Sequence, residues 1–178
     1  LGDVYKRQIY ASRIHAYLFA FCCGSFAISV ESLSDVFKYA NMPVTPPLLV
    51  MGGVQPGQST TTVAAAVAEL VNADRLIVAT DVDGVFTADP KKDPSAKRLP
   101  SISFEQLMEL SRKSGYKAGT YQLFDPIAAR IVARSRITTA VINGTKLENL
   151  RKALSVPKTK EEENAWVEWV KSVGTLIR

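Results

Sequence analysis

Two loops in the sequence carry the residue types that a phosphorylated ligand needs. The first, GGVQPGQ at residues 52–58, has three glycines and leads to Ser59 or Thr60, either of which can begin a helix. Glycine lets backbone N–H groups approach an anion, and a helix N-terminus adds unpaired donors and partial positive charge. The loop therefore predicts a phosphate site, and a plain strand-to-helix turn explains it equally well. It is neither a Walker loop nor a GxGxxG motif.

A second loop, TDVDGVFTADP at residues 80–90, follows the apolar run LIVA at residues 76–79. Its acids, hydroxyls and aromatic ring predict a site for a nucleotide base and ribose, and a turn without function is the alternative. The candidate contacts are Thr80, Asp81, Phe86 and Asp89. A calcium loop is excluded, because Gly84 in the sixth position of an EF-hand would make Ala79 and Pro90 ligands.

Apolar runs alternate with helix signals, which predicts an α/β fold, a three-layer αβα sandwich with a mostly parallel sheet. Strands are predicted at residues 26–30, 48–51, 76–79, 138–142 and 173–177. Helices are predicted at residues 11–22, 32–40, 59–72, 103–112 and 125–134, and from Glu161. The strands at 48–51 and 76–79 are predicted to be parallel members of one βαβ unit. Ligands bind beyond the carboxyl ends of such strands, which is where both loops lie.

Cap signatures mark three helix starts. SFEQ at residues 103–106 and TKLE at residues 145–148 are predicted capping boxes. Asp125 before Pro126 predicts an N-cap followed by proline in the first helical position.

Composition limits the class of protein. The 178 residues, 47% hydrophobic, suit one compact domain. The net charge of +5 permits an anionic ligand, but we find no recognition helix or basic stripe that indicates nucleic-acid binding. Adjacent Cys22 and Cys23 and the single His15 predict neither a disulfide framework nor a metal site. The apolar stretch at residues 16–30 is shorter than the ~20 residues of a membrane span, so it predicts a core helix and a buried strand.

A third loop, KSGYKAGT at residues 113–120, has lysines that either reach a transferred phosphate or cross the surface. The candidate catalytic residues are Lys117 in this loop and Asp125, although capping is the simpler interpretation of Asp125. Trp166 and Trp169 are predicted to dock the charged segment at residues 155–172 on the rest of the protein.

Taken together, these segments resemble a known family. MGGVQPGQSTTTVAAAVAEL, ATDVDGVFTADPKKDP, KAGTYQLFDPIAARIVARS and the final GTLI are similar to archaeal uridylate kinases of the amino acid kinase family. The resemblance runs from about residue 9 to the C-terminus. It implies a cytoplasmic enzyme of pyrimidine nucleotide synthesis that phosphorylates UMP with ATP, with Mg²⁺ carried by the nucleotide, and that assembles as a hexamer.

The resemblance also implies roles for individual residues. UMP would be held by Val54, Gln55, Pro56, Gly57, Gln58, Ser59 and Thr60. ATP would be held by Thr80, Asp81, Phe86 and Asp89. Such an arrangement suits phosphoryl transfer, which depends on placement and neutralised charge rather than on a covalent intermediate.

The sequence departs from the family in several places. The family's first strand, with its phosphate-binding lysine, and a second glycine-rich loop are not found, which predicts a fold incomplete at the N-terminus and weak or no turnover. Residues 1–8 read as a non-native lead, residues 9–178 as one domain fragment, and residues 155–172 as an extra segment. Thr61 stands where many members have aspartate, and Phe86 replaces a more usual tyrosine.

Two alternatives remain open at this point. One is a relative that phosphorylates another acceptor, as aspartate, acetylglutamate and isopentenyl phosphate kinases do. The other is a protein of the same fold that binds or stores nucleotides without catalysis, which Thr61 slightly favours.

Overall fold

The computed structural model describes residues 2–43, 48–113 and 123–178. It divides the chain into two units, Leu1–Asn72 and Ala73–Arg178, each built around its own sheet.

The first unit has a two-stranded parallel sheet. Its elements are α1 (Gly2–Cys22), a 3-10 turn (Gly24–Phe26), β1 (Ala27–Val30), α2 (Leu33–Ala40), β2 (Leu48–Met51) and α3 (Thr60–Leu70). Strands β1 and β2 pair in parallel with Ala27 opposite Leu48. Because β1, α2 and β2 follow one another, this pair is a βαβ unit.

Side-chain caps fix the starts of α2 and α3. Ser32 and Asp35 form a capping box in which each side chain accepts the other residue's backbone N–H, both at 3.1 Å. The Ser59 hydroxyl accepts from the Thr62 amide at 3.0 Å. The predicted start of the helix after the glycine loop is therefore confirmed.

Helix α1 differs from the predicted core helix. Ala16 and Ala20 are buried, but large apolar side chains on the helix are exposed: Tyr10, Ile14, Tyr17, Leu18, Phe19 and Phe21. The expectation of a core position is wrong for most of this helix. Apolar residues occur all around α1, so their spacing did not show which face would be covered.

The second unit has a four-stranded mixed sheet. Its elements are β3 (Arg75–Thr80), β4 (Ser101–Ile102), α4 (Phe104–Lys113), α5 (Pro126–Ser135), β5 (Thr138–Asn143), α6 (Leu147–Ala153), α7 (Lys160–Val173) and β6 (Thr175–Ile177). The strand order is β3-β5-β6-β4, with β3–β5 and β4–β6 parallel and β5–β6 antiparallel. The α/β fold with mostly parallel strands is confirmed.

The predicted βαβ unit of β2, α3 and β3 is wrong. Strand β2 pairs with β1, and β3 pairs with β5 in the other sheet. Continuous apolar runs predict buried strands but contain no information about which strand becomes the partner.

Two of the three predicted caps in this unit are confirmed. Ser103 and Gln106 bond reciprocally at 2.8 and 3.2 Å, and the Asp125 carboxylate accepts from two amides of α5. The box at residues 145–148 is wrong, because α6 begins at Leu147 and the Thr145 hydroxyl donates to Asn143 Oδ1 at 2.6 Å. That bond belongs to the turn that follows β5.

Helix α7 packs on the sheet of this unit. The buried cluster it joins consists of Ala140, Trp166, Val167, Val170 and Leu176. Trp166 Nε1 also donates to the Ala153 carbonyl at 3.2 Å, and Trp169 packs against the cluster. The predicted docking of this segment through its tryptophans is confirmed.

Thr175 ties the turn after β3 to the sheet. Its buried hydroxyl accepts from the Val85 amide at 2.8 Å and donates to the Leu99 carbonyl at 2.5 Å. Gly84 has a φ of +119°, and a Cβ there would lie 2.6 Å from the same hydroxyl. Glycine is therefore required at this turn.

Within the described ranges, we find no helix with the length and apolarity that a membrane crossing requires.

We predict that Thr175→Val lowers the free energy of unfolding of this unit by about 1–3 kcal/mol, because it removes the partner of a buried amide and of a carbonyl. Thr175→Ser keeps the hydroxyl and should cost less. Both tryptophans of the chain lie in α7, so their fluorescence during urea denaturation reports on this unit. Equal stability of the two variants would contradict the role of the hydroxyl.

Candidate functional site

The carboxyl ends of β3 and β5 lie side by side. The strands are parallel with Thr80 opposite Asn143, so both chains leave the sheet at the same edge. The Gly144 amide donates to the Thr80 carbonyl at 2.8 Å. A Cβ on Gly144 would lie 2.8 Å from the Ala79 Cβ, so only glycine permits this approach of the two turns.

Asp83 joins the two turns through its carboxylate. Its Oδ1 accepts from Asn143 Nδ2 and from Lys146 Nζ, both at 2.9 Å. Asn143 is buried, and its own Oδ1 accepts from the Thr145 amide at 3.0 Å. Lys146 and then Asn143 hold the pKa of Asp83 below its ordinary value. Because the Asp83 side chain is 45% exposed, solvent screens the ion pair and its contribution to stability is small.

Thr80 and Asp81, two of the predicted ATP contacts, lie at this edge. The Thr80 hydroxyl is 3.4 Å from Asp81 Oδ1, and Asp81 Oδ2 forms an ion pair with Lys91. Lys91 lowers the pKa of Asp81, and Asp81 raises the pKa of Lys91. Both charged side chains are exposed, so an entering ligand can replace one partner at small cost.

Asp89 and Phe86, the other two predicted ATP contacts, belong to the following turns. Asp89 Oδ1 accepts from the Lys91 amide at 3.0 Å, and the Lys92 ammonium lies 3.7 Å from Oδ2. Phe86 is half-buried and forms a β-bridge with Arg98. The loop is therefore held by its own contacts, with an aromatic face at one turn and two acid–lysine pairs at its ends.

The glycine loop in the first unit is held by α1. The Gly53 amide donates to the Ser12 hydroxyl at 2.7 Å, and Arg13 Nε donates to the Gly53 carbonyl at 3.0 Å. A Cβ on Gly52 would lie 2.7 Å from the Arg13 backbone nitrogen, so α1 requires glycine here. Neither Ser12 nor Arg13 was predicted to contact this loop.

The remaining part of the loop faces solvent. Gly57 has a φ of +83°, and the Gln58 amide donates to the Gln55 carbonyl at 3.4 Å. The exposed residues are Gln55, Pro56, Gly57, Ser59 and Thr60, with Val54 and Gln58 half-buried. An anion entering here would meet the first turn of α3, which begins at Thr60.

Of the two candidate catalytic residues, the structure describes only Asp125. Lys117 lies outside the described residues, as do Tyr116 and Tyr121 of the same loop. Asp125 Oδ1 accepts from the Ile127 and Ala128 amides at 2.8 and 3.0 Å, so its carboxylate is a helix cap. A catalytic role for either residue stays a prediction.

Sequence reasoning missed the cluster of Asp83, Asn143 and Lys146. A signal existed for the first two, since each follows an apolar strand at a predicted turn. The parallel pairing of β3 with β5, which the sequence did not show, is what brings Asp83 and Asn143 together. Lys146 had no signal beyond its charge.

No group of three or more His, Cys, Asp or Glu residues could hold a metal ion in the part of the chain that the structure describes.

Comparison with known proteins identifies the family. The model of the amino acid kinase family matches residues 3–143. The chain belongs to the amino acid kinase family. It is 53% identical over 107 residues to the uridylate kinase of Methanocella arvoryzae, covering 60% of this chain and 48% of the relative. It is 41% identical over 154 residues to that of Metallosphaera sedula, covering 85% and 67%.

A solved structure agrees with this placement. The chain superposes on the uridylate kinase of Archaeoglobus fulgidus with a TM-score of 0.67 at 35% identity. The superposition covers 96% of this chain and 69% of the A. fulgidus chain. The chain thus spans about half to two thirds of the length of these relatives. The predicted resemblance to archaeal uridylate kinases is confirmed.

We predict that Lys146→Met raises the pKa of Asp83 toward its ordinary value, because the lysine is the largest cause of the depression. A depressed pKa stabilises the fold above the unfolded-state pKa, and this contribution is lost as pH falls through the folded-state pKa. The variant should therefore lose the contribution at a higher pH. Carboxyl-carbon NMR titration measures this pKa. Lys158→Met on the exposed α6–α7 connection is the matched control, and equal Asp83 titrations in the two variants would rule out the assigned cause.

Proposed function

We propose that the protein transfers the γ-phosphate of ATP to UMP, giving UDP, with UMP bound by residues 54–60 and ATP by the loop at residues 80–89. The observation that carries the proposal is that both loops leave the carboxyl ends of parallel strands, in a chain that is similar to uridylate kinases. Open parallel sheets bind ligands at that position.

The acceptor would bind at the glycine loop. Residues 55–57 are exposed and precede the N-terminus of α3, which favours an anion such as the UMP phosphate. The relatives named uridylate kinase support UMP as this acceptor.

The donor would bind at the second loop. The half-buried ring of Phe86 offers an apolar face to adenine, while Thr80 and Asp81 offer polar contacts. Asp89 is the candidate partner of a ribose hydroxyl. Lys91 and Lys92 are exposed and follow the loop directly in sequence. Once they leave their carboxylate partners, their ammonium groups can neutralise the charge of the polyphosphate.

Phosphoryl transfer needs in-line placement and neutralised charge, and these loops supply amides, hydroxyls and lysines rather than a covalent nucleophile. Mg²⁺ enters as part of the ATP substrate, since it is usually held by phosphates together with one or two carboxylates. Asp81 and Asp89 at the second loop are carboxylates of the suitable kind. Lys117 and Asp125 remain the candidate catalytic residues.

The family resemblance extends the proposal to the setting of the enzyme. We infer a cytoplasmic protein of pyrimidine nucleotide synthesis that assembles as a homo-oligomer, a hexamer in the family, and binds neither nucleic acid nor membrane.

A second candidate function is nucleotide binding without transfer. Thr61, in the first turn of α3, stands where the family resemblance leads us to expect an aspartate that organises the reacting groups. Weak or no turnover by this chain stays a prediction.

We expect calorimetric titration to show that the chain binds UMP at micromolar concentration and, in a separate experiment, ATP–Mg²⁺. Aspartate, acetylglutamate and isopentenyl phosphate should give no heat. Binding of one of these acceptors by a folded chain that ignores UMP would overturn the proposal. UDP formation in a mixture of UMP and ATP then separates transfer from binding alone.

We also predict that Gly57→Ala weakens UMP binding roughly tenfold, because a side chain at this positive φ costs about 1–3 kcal/mol and shifts the loop. Gly24→Ala is a matched control in the same unit. Gly24 has a φ of +61°. At Gly24, as at Gly57, the Cβ of an alanine would have no other atom within 4 Å. Equal UMP affinities in the two variants would exclude the loop as the acceptor site.

A further inference from the structure

Arg13 reaches the acceptor loop from α1 and binds its backbone. Its Nε donates to the Gly53 carbonyl at 3.0 Å, and its Nη2 donates to the Val54 carbonyl at 3.3 Å. The side chain is 23% exposed, so these bonds are partly shielded from water. One guanidinium thus holds two successive peptide groups at the start of the loop.

The guanidinium is itself held from the other side. Its Nη1 lies 2.9 Å from Glu31 Oε2, and Glu31 directly follows β1. The Tyr17 hydroxyl of α1 donates to the other oxygen of Glu31. The fixed fork of arginine can satisfy the carboxylate and the two carbonyls together, which the single ammonium of lysine does not match.

We propose that Arg13 is a positioning residue for the acceptor: it fixes the peptide planes of the loop so that the loop amides face the UMP phosphate. In a trans peptide the C=O of one residue points opposite to the N–H of the next. Because the carbonyls of Gly53 and Val54 face the Arg13 guanidinium, the amides of Val54 and Gln55 point away from that guanidinium. The inference rests on the proposed function, in which residues 54–60 bind UMP.

The same contact removes an electrostatic obstacle. A carbonyl oxygen carries partial negative charge and would repel a phosphate that approached it. Arg13 binds two such oxygens, and Glu31 balances the charge of the guanidinium, so the benefit to an anion comes from the occupied carbonyls. Gly52 makes this possible, because a Cβ would meet the α1 backbone.

Arg13→Lys tests the assignment, with Arg7→Lys on the same helix as its matched control, since Arg7 is exposed. We expect Arg13→Lys to raise the Kd for UMP roughly tenfold, the equivalent of one lost charge-assisted bond. The Kd for ATP–Mg²⁺ should not change, and Arg7→Lys should change neither. Glu31→Gln keeps an acceptor but removes the charge, and it should weaken UMP binding roughly threefold.

Two further measurements distinguish positioning from direct contact and from misfolding. Amide exchange of Gly53, whose N–H is bonded to Ser12, should be faster in Arg13→Lys than in Arg7→Lys. Gly52→Ala breaks the same α1–loop contact from the loop side. The double variant that combines Gly52→Ala with Arg13→Lys should therefore bind UMP about as tightly as whichever single variant has the higher Kd for UMP.

Each outcome decides one claim. Failure of the unaltered chain to bind UMP counts against the proposed acceptor site, whatever the Gly53 exchange shows. Unchanged UMP affinity or unchanged Gly53 exchange in Arg13→Lys overturns the positioning role. If the Kd increases of the two single variants multiply in the double variant, Arg13 acts independently of the loop, for instance by touching UMP itself. That result would also overturn the positioning role.

Discussion

Parallel pairing of β3 with β5 is the interaction on which the rest of the second unit depends. The register puts Thr80 opposite Asn143, so the two turns that follow must share one edge of the sheet. Gly144 permits their close approach, and Asp83 then bonds to the amide and the ammonium of the other turn. The polar groups of the candidate ATP site are therefore placed by the sheet, and their mutual hydrogen bonds only complete the arrangement.

The first unit uses the same constraint on a smaller scale. Its parallel strands β1 and β2 end at one edge, where Glu31 and the glycine loop follow them. Two strands offer little surface for packing, and α1 supplies the missing support by contacts to the loop backbone. Both candidate loops thus depend on partners that come from another element of the same unit.

Local features of the fold were predictable from the sequence, and long-range choices were not. Ser59, Ser103 and Asp125 cap their helices as predicted, since a cap involves residues within three positions. The predicted pairing of β2 with β3 was wrong, because the apolar pattern of a strand does not indicate which strand lies next to it. Thr145 fits the capping pattern, but its hydroxyl donates to Oδ1 of the buried Asn143 and does not cap α6.

The candidate site shows the same limit. Loop residues with suitable chemistry were visible in the sequence, because glycines, acids and an aromatic residue cluster there. Their supporting partners were not, since Lys146 is 63 positions from Asp83 and Arg13 is 40 positions from Gly53. Only the folded chain brings such pairs together, and nothing in the local composition marks Arg13 or Lys146.

The central claim is that the carboxyl edge of β3 and β5 binds the nucleotide, and an amide NMR titration of the chain with ATP–Mg²⁺ tests it most directly. We predict that the largest shift changes fall on residues 80–89 and 143–146. The opposite edge of the same strands borders a groove lined by Arg75, Thr138 and Val156, which serves as an internal control. Changes centred on that groove, or no changes in a folded chain, would contradict the claim.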